Sequence, residues 1–291
     1  MYSIVIADKI PYIYEDMALM ICQYLINRGQ PVYIDICSQV EEYKQREPFL
    51  KNNVIYLGQL VSEINIKPGS IITDFDPINF DLISVLPEKT IKANKFLCYS
   101  DKVIQHIKSK FPFINISKFR FCYSEFLDIN TLRCSEYYGK KFTKYSEADK
   151  QYDVTFLMGN YVYPRRNKII NILIACGLNV YHDNHTHRQD RMEIYSKSKI
   201  ILSIYSKKEN LEYSSGSRIF PAVSSGCFVI SEKCINKEEN EILESICINV
   251  PYESIVTTVL YYLKNYTERI DKNTKFYDNI KKINFKLDID I

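Results

Sequence analysis

The sequence predicts an α/β protein built from two Rossmann-like domains, each with a parallel sheet covered by helices, that face a common cleft. Short apolar runs alternate with helical patterns in the first half of the chain, and a second alternating series begins at residue 153. Between the two series, residues 135–152 are polar and lack a clear period. We therefore expect an N-terminal domain over residues 1–140 and a second domain over residues 150–270.

The first half supplies the predicted elements of the N-terminal sheet. Residues 15–28 carry apolar side chains on one helical face, and Gly29 can end that helix. Residues 101–110 form a second predicted helix, which Ser100 or Asp101 can cap. Short runs rich in β-branched and aromatic residues predict strands. These strands are residues 2–7, 32–37, 53–57, 70–73, 95–99 and 119–123.

The second half repeats the alternation of strands and helices. The predicted helix at residues 164–176 has Pro164 at its start and Gly177 after its end, which is the usual asymmetry of helices. The predicted strands are residues 153–158, 178–181, 199–205 and 227–231, and the further helices are residues 189–198, 217–225, 237–245 and 252–267. Ligands of such sheets bind at the carboxyl ends of the strands, so the loops that follow them are the places to search for a site.

Composition limits the classes of protein and of partner. The 291 residues are 46% hydrophobic and 25% charged, which allows a sizeable core. The net charge of +3 is too small to predict nucleic acid or an anionic membrane as a bulk partner. No apolar run approaches the roughly 20 residues that span a bilayer, and the N-terminal stretch predicts a strand rather than a signal peptide.

The cysteines indicate a reducing environment. Their number, nine, is odd, the sequence has no C-x-x-C pair, and most of them lie within apolar stretches. Buried reduced thiols are therefore favoured over disulfides, which predicts a reducing, cytoplasmic compartment.

Motifs of several enzyme classes are missing from the sequence. It has no G-x-G-x-x-G after the first strand, which argues against a dinucleotide-binding dehydrogenase, and no G-x-x-x-x-G-K-[ST], which argues against a P-loop NTPase. The hydrolase elbow G-x-S-x-G and the zinc motif H-E-x-x-H are also missing.

The first candidate site lies between the strand at residues 153–158 and the helix after it. Gly159 and Asn160 form the turn, and Arg165 and Arg166 stand in the first turn of the helix. Free N–H groups and the helix dipole favour an anion there, whereas the two arginines oppose the dipole. Because guanidinium groups bind phosphate through paired hydrogen bonds, the pattern predicts a phosphate site. The alternative is a solvated helix start with incidental arginines.

A second candidate site opens the helix at residues 217–225. Ser215, Gly216 and Ser217 can offer hydroxyl and N–H groups to a diphosphate, and Arg218 can neutralise it. Glu232 ends the strand that follows this helix and completes the candidate set. In the alternative interpretation Ser217 is a helix cap, Arg218 is a surface residue and Glu232 caps the next turn.

The segment that starts at Arg218, R-I-F-P-A-V-S-S-G-C-F-V-I-S-E, resembles the donor-binding segment of GT-B glycosyltransferases, commonly R-x-x-E-A-x-A-x-G-x-x-x-I-x-E. The preceding Y-D-V-T-F-L-M-G-N and R-R-N-K-I-I-N-I-L-I-A-C-G-L-N-V stretches are similar to the start of that family's C-terminal domain. The order and spacing resemble the CgeB-like and group 1-like members and, more distantly, phage DNA β-glucosyltransferase. The resemblance covers about residues 152–265.

This resemblance implies a GT-B fold and the transfer of a sugar from a nucleotide-diphosphate-sugar donor to an acceptor hydroxyl. It implies that Arg165 or Arg166, together with Arg218, holds the donor diphosphate, and that residues 271–291 pack back onto an N-terminal acceptor domain. No cofactor or metal is expected, because arginines and a helix dipole can carry the leaving-group charge. The acceptor is left open among a glycan, a protein and a nucleic acid.

The sequence also departs from the family pattern. Pro221 stands where retaining enzymes of the E-x7-E type have a glutamate, and the earlier glutamate position falls on Tyr213, beside Glu212. A catalytically degenerate scaffold protein with the same fold is therefore an alternative. A doubly wound regulatory module that binds no donor is another.

A catalytic base would come from a loop of the N-terminal half. The candidates are Asp8, which ends the first strand, and Asp74 or Asp76 in T-D-F-D-P. The tripeptide Asp74-Phe75-Asp76 also matches the D-x-D signature by which GT-A glycosyltransferases hold a divalent cation, so a metal-dependent transferase is the rival hypothesis.

Three histidines cluster in Y-H-D-N-H-T-H. His182, His185 and His187 lie beside Asp183, and imidazoles at such a spacing suggest zinc. Because no cysteine is close by in sequence and the spacing suits a loop, a polar loop is the favoured interpretation.

Overall fold

The structure is a computed structural model that describes residues 1–7, 12–51, 53–58, 64–73, 95–156, 163–183, 188–208, 211 and 216–283. The chain divides into two compact units, Met1–Phe121 and a second unit that begins at Cys122. Each unit is built on a parallel sheet flanked by helices, which confirms the predicted fold class. The division lies before the polar stretch in which the sequence placed it.

The sheet of the first unit has the strand order β2-β1-β3-β4-β5-β6, and every described pairing is parallel. In the centre, Ile4 lies opposite Ile34 on one side and Ile55 on the other, and the whole of β1 is buried. The strands are β1 (Tyr2–Ala7), β2 (Val32–Cys37), β3 (Asn53–Leu57), β4 (Ile71–Thr73), β5 (Lys95–Cys98) and β6 (Ile116–Lys118).

The helices of the first unit are α1 (Tyr12–Asn27), α2 (Val40–Arg46) and α3 (Asp101–Lys110), with a 3₁₀ turn at Glu47–Phe49. Helix α2 was not predicted. The strand expected at residues 119–123 lies earlier, at β6. Phe119 and Phe121 instead pack against Tyr99, with ring centroids 6.0 and 5.4 Å away, so these apolar residues build the core rather than a strand.

The sheet of the second unit has the strand order β11-β10-β9-β7-β8, and its described pairings are all parallel. Val154 of the inner strand β7 lies opposite Val180 and Ile200, and it is completely buried. The strands are β7 (Tyr152–Phe156), β8 (Val180–His182), β9 (Ser198–Ser203), β10 (Val229–Glu232) and β11 (Ile248–Val250).

Helices of the second unit follow its strands, and the end of the unit differs from the prediction. The single helix expected at residues 252–267 is a 3₁₀ turn, Tyr252–Ser254, and two helices that break at Asn265. The helices are α4 (Leu132–Tyr138), α5 (Pro164–Ala175), α6 (Arg188–Ser196), α7 (Gly216–Ser224), α8 (Lys237–Glu244), α9 (Ile255–Lys264) and α10 (Tyr266–Ile280).

The segment after Cys122 is fastened to the second unit by buried polar contacts. The carboxylate of Asp128, which is completely buried, accepts hydrogen bonds from the hydroxyl groups of Tyr123 and Tyr277. A second anchor joins Glu147 to Arg269, so α10 holds both ends of this segment. Because a buried carboxylate needs such donors, these contacts explain why the division of the chain precedes α4.

Helix α10 contains most of the described part of residues 271–291. It packs against α7 within the second unit, and the side-chain amide of Asn273 donates to the carbonyl oxygen of Gly226, 2.9 Å away.

All nine cysteines lie in the described residues, and all of them are free thiols. Eight are buried, as expected from their apolar neighbours, and Cys176 is exposed. None of the helices in the described part of the chain is long and apolar enough to cross a membrane.

Candidate functional site at the carboxyl edge of the second sheet

The strand order of the second sheet reverses between β7 and β9. The chain passes from β7 to β8 on one side and then returns to β9 on the other side of β7. Helix α5 follows β7 and helix α7 follows β9, so both helices begin at the carboxyl edge of the sheet beside this reversal. Such a switch point is where doubly wound sheets bind their ligands.

Arg166 is a buried cation at this switch point. It stands in the first turn of α5, its side chain is only 2% exposed, and its Nε donates to the carbonyl oxygen of Ile204 at 3.0 Å. The rings of Phe156 and Tyr163 each lie 5.7 Å from its guanidinium carbon. Burial lowers the pKa of Arg166 to about 9, and the charge of Arg218 is the next cause. The charge of Arg218 thus acts on the pKa of Arg166 in the same direction as burial.

Arg165 has a different environment, although it is the neighbouring residue. Its guanidinium binds both carboxylate oxygens of Glu232, with Nη1 2.8 Å from Oε2, and Nη1 also donates to the carbonyl oxygen of Tyr205 at 3.2 Å. The hydrogen bond with Glu232 is the main reason why the pKa of Arg165 is raised. The two arginines that the sequence treated as equivalent thus differ in their partners.

Glu232 lies at the carboxyl end of β10 and is 2% exposed. Its Oε2 also accepts a hydrogen bond from the backbone N–H of Tyr205, 3.1 Å away. With the two bonds from Arg165, the carboxylate has three donors and the buried charge is balanced. The strand-end glutamate is therefore part of the same edge as the arginines, and it does more than cap the next turn.

Tyr252 completes this cluster and was not identified from the sequence. Its ring centroid lies 4.1 Å from the guanidinium carbon of Arg165, and its hydroxyl donates to the backbone oxygen of Arg165 at 2.7 Å. The residue follows β11 at the far edge of the sheet, 87 positions along the chain from Arg165. The only sequence signal was an aromatic residue directly after Pro251 and a short apolar run.

Helix α7 begins one residue earlier than predicted. Gly216 is its first residue and is buried, Ser217 is exposed, and Arg218 stands half-buried in the first turn. Ser217 therefore lies inside the helix instead of capping it. Pro221 is buried within α7 and lacks the N–H that would donate to the carbonyl group of Ser217. Where the family pattern has a glutamate, this chain has a core residue without a polar group.

The other predicted site residues divide into two groups. His182 is exposed at the end of β8, and the neighbouring Asp183 accepts a hydrogen bond from the hydroxyl of Tyr181 at 3.3 Å. Among the described residues no group of three or more His, Cys, Asp and Glu side chains could hold a metal ion. Outside the described residues lie Asp8, Asp74, Asp76, Gly159, Asn160, His185, His187, Glu212, Tyr213 and Ser215.

Comparisons with known proteins agree with this geometry. Residues 140–280 match the sequence model of a family described as glycosyl transferase-like, and this stretch contains all the described residues of the candidate site. No curated protein sequence matches the chain.

Solved structures of similar fold include glycosyltransferases. An alpha-glucosyltransferase in complex with UDP and a 13-mer DNA that contains an HMU base is 12% identical, with 96% of this chain and 94% of that chain covered and a TM-score of 0.61. Sucrose-phosphate synthase from Thermosynechococcus elongatus is 8% identical, with coverages of 97% and 94% and a TM-score of 0.53. WaaG, a glycosyltransferase of lipopolysaccharide biosynthesis, is 11% identical, with coverages of 97% and 98% and a TM-score of 0.52. The chain therefore has the fold of the GT-B glycosyltransferases, and its second unit resembles their family in sequence.

Proposed function

We propose that the protein is a glycosyltransferase that moves a sugar from a nucleotide-diphosphate sugar to an acceptor hydroxyl, with the diphosphate at the first turns of α5 and α7. One observation carries the proposal: a buried Arg166 in the first turn of α5 and Arg218 in the first turn of α7 stand at the helix starts beside the switch point of the sheet. Cations in the first turns of two helices oppose both helix dipoles, and a bound anion offsets that cost.

The chemistry follows from where charge develops. In sugar transfer the bond between the sugar and the diphosphate breaks, and negative charge accumulates on the departing phosphate. Arg166, Arg218 and the N-terminal dipoles of α5 and α7 can stabilise that charge without a metal ion. We propose that Gly159, Asn160, Ser215, Gly216 and Ser217 add N–H and hydroxyl donors to the same phosphates.

The acceptor would be activated from the first unit. Asp8 follows β1 and Asp74 follows β4 in sequence, and the carboxyl ends of parallel strands meet at one edge of their sheet. We propose one of these carboxylates as the base that removes the proton of the acceptor hydroxyl. The acceptor is a glycan, a protein or a nucleic acid.

A thermal-shift screen of the full chain against nucleotide sugars and nucleoside diphosphates tests the proposal. A ligand present at 100 times its dissociation constant stabilises the folded state by about 2.7 kcal/mol. We expect such stabilisation by at least one nucleoside diphosphate and by the sugar nucleotide that contains it. Failure of every compound in the screen would exclude the proposed donor site.

Pro221 specifically favours a second candidate, a binding protein that has lost transfer activity. This residue replaces a polar family position with a buried ring. The second candidate predicts the same stabilisation by nucleoside diphosphates but no release of sugar. A measurement of donor hydrolysis and transfer by the protein that binds in the screen separates the two functions.

A further inference from the structure

We infer that Arg165 is a positioning residue that acts through Glu232, and that Tyr252 holds Arg165 in place. The phosphates of a bound nucleotide are then contacted by Arg166 and Arg218, and not by Arg165. The inference rests on the proposed donor site and specifies which of its arginines bind the phosphates and which one binds Glu232. It also revises the sequence-based prediction, which gave Arg165 and Arg166 the same role.

The first argument is the number of donors that Arg165 has left. A guanidinium carries five N–H groups in a planar fork. In Arg165 both hydrogens of Nη1 are used, by Glu232 and by the carbonyl oxygen of Tyr205, and Nη2 gives one to Glu232. The end-on pair of the fork, formed by Nη1 and Nη2, is therefore occupied by a carboxylate.

The second argument is the environment of the carboxylate. Glu232 is 2% exposed, and two of its three donors come from Arg165. A phosphate that took Arg165 away would leave a buried negative charge with a single backbone donor and would place a second negative charge beside it. Arg166 and Arg218 offer the phosphate a better position, because each stands in the first turn of a helix at the switch point, where helix N-termini favour anions.

The third argument is the way Tyr252 fixes Arg165. The ring covers one face of the guanidinium at 4.1 Å, and the hydroxyl holds the backbone carbonyl of Arg165 at 2.7 Å. One residue thus constrains both the main chain and the side-chain plane of Arg165. Stacking on the guanidinium and the paired bond to Glu232 together define one orientation of that carboxylate.

The experiment is a double-mutant cycle read by calorimetric binding of UDP to the full chain. The variants are Arg165→Ala, Glu232→Gln and the double variant. If Arg165 acts only through Glu232, each single variant weakens UDP binding by about tenfold and the double variant is no weaker than Glu232→Gln. A further tenfold loss in the Glu232→Gln background would show that Arg165 contacts the phosphate itself, and equal affinity of all variants would also overturn the inference.

Matched variants separate positioning from charge and from folding. Arg165→Lys keeps the charge but lacks the planar fork, so it should bind UDP as weakly as Arg165→Ala. Tyr252→Phe keeps the stacked ring but loses the hydroxyl bond to the carbonyl of Arg165, so it should weaken UDP binding less than Tyr252→Leu, which should resemble Arg165→Ala. Arg218→Ala is the control, because it should weaken binding by the same factor with and without Glu232→Gln. Full rescue by Arg165→Lys would contradict the inference.

Failure of the proposed function can be told apart from failure of the inference. If the parent protein binds none of UDP, GDP and ADP, the donor site is wrong, and a second cycle, of Arg165→Ala with Tyr252→Leu, is then read in the free energy of unfolding. Effects of Arg165→Ala and of Tyr252→Leu that do not add would support the positioning unit, and additive effects would overturn it.

Discussion

Helices α5, α7 and α8 follow the strands β7, β9 and β10 of the second sheet, and they begin in two different ways. Helix α8 has an ordinary start: the side chain of Asn236 accepts a hydrogen bond from the N–H of Glu239 at 3.1 Å, and Glu238 and Glu239 are acidic residues in the first turn. The first turns of α5 and α7 lie entirely within the described residues. Neither turn contains an acidic residue, and both contain arginines. The contrast separates a start arranged for helix stability from the starts that the proposed function assigns to an anion.

The first unit follows the ordinary rule. Helix α3 starts after Ser100, whose hydroxyl accepts from the N–H of Val103 at 3.4 Å, and Asp101 is its first residue. The chain therefore uses caps and acids at helix starts in both units. The arginines of α5 and α7 oppose the helix dipole, and under the proposed function a bound phosphate would offset this cost for Arg166 and Arg218.

The largest expected effect comes from removing the cation at the start of α7. Arg218→Ala should weaken binding of nucleoside diphosphates by about tenfold or more, because a charge-assisted contact contributes about 1.5–3 kcal/mol. The free energy of unfolding should stay the same or rise slightly, since the removed charge opposes the dipole. Calorimetry with UDP and GDP, together with denaturant unfolding, measures both quantities.

Lys237→Ala is the matched control for that variant. It removes the same charge from the first residue of α8, where the side chain is exposed. We expect its affinity for UDP to equal that of the parent. The comparison between the helix starts fails if the two variants bind UDP equally well, or if Arg218→Ala unfolds the protein.

The contrast between helix starts was visible in the sequence because it is local. The arginines, the adjacent Pro164 and the acids of α8 lie within a few residues of each helix start, and propensity rules act over that distance. The alternation of strands and helices, and with it the fold class, was predicted for the same reason. The exceptions are elements such as the short strand β11 and helix α4, whose patterns are too brief to stand out.

The contacts that distinguish Arg165 from Arg166 were out of reach of sequence reasoning. Glu232 is 67 positions from Arg165, and Tyr252 is 87 positions from it. Only the packing of β10 and β11 beside β9 brings these residues to one edge. The choice of partner is a tertiary property, so a sequence pattern identified the arginines but not their division of roles.

The next effect in size tests the ordinary helix start. Asn236→Ala removes the cap of α8 and should lower the free energy of unfolding by about 1 kcal/mol, without a change in UDP affinity. Urea unfolding and calorimetry on the same preparation give both values. A loss of UDP affinity in this variant would mean that α8 also belongs to the anion site. The start of α8 could then no longer serve as the reference for the starts of α5 and α7.

A smaller effect is expected when the start of α7 is made to look like that of α8. Ser217→Glu places an acid on an exposed position of the first turn, which should stabilise the fold by about 0.3–1 kcal/mol through the helix dipole. UDP affinity should fall at the same time, because the new charge repels the phosphate. The converse variant on α8, Glu238→Ser, should destabilise the fold by a similar amount and leave UDP affinity unchanged.

No change at all is expected on removal of divalent cations. In the proposed function, arginines and helix dipoles at α5 and α7 would carry the charge that a metal ion would otherwise carry, so a chelator should alter neither the affinity for UDP nor any transfer activity. The measurement compares UDP binding and sugar release in EDTA with the same assays in manganese.

The rival hypothesis gives the opposite result, since the D-x-D residues Asp74 and Asp76 would then hold a cation against the diphosphate. Activity that is abolished by EDTA and restored by manganese, and that disappears in Asp74→Asn, would establish metal dependence. In that case the arginine-bearing helix starts would only supplement a metal ion in binding the diphosphate.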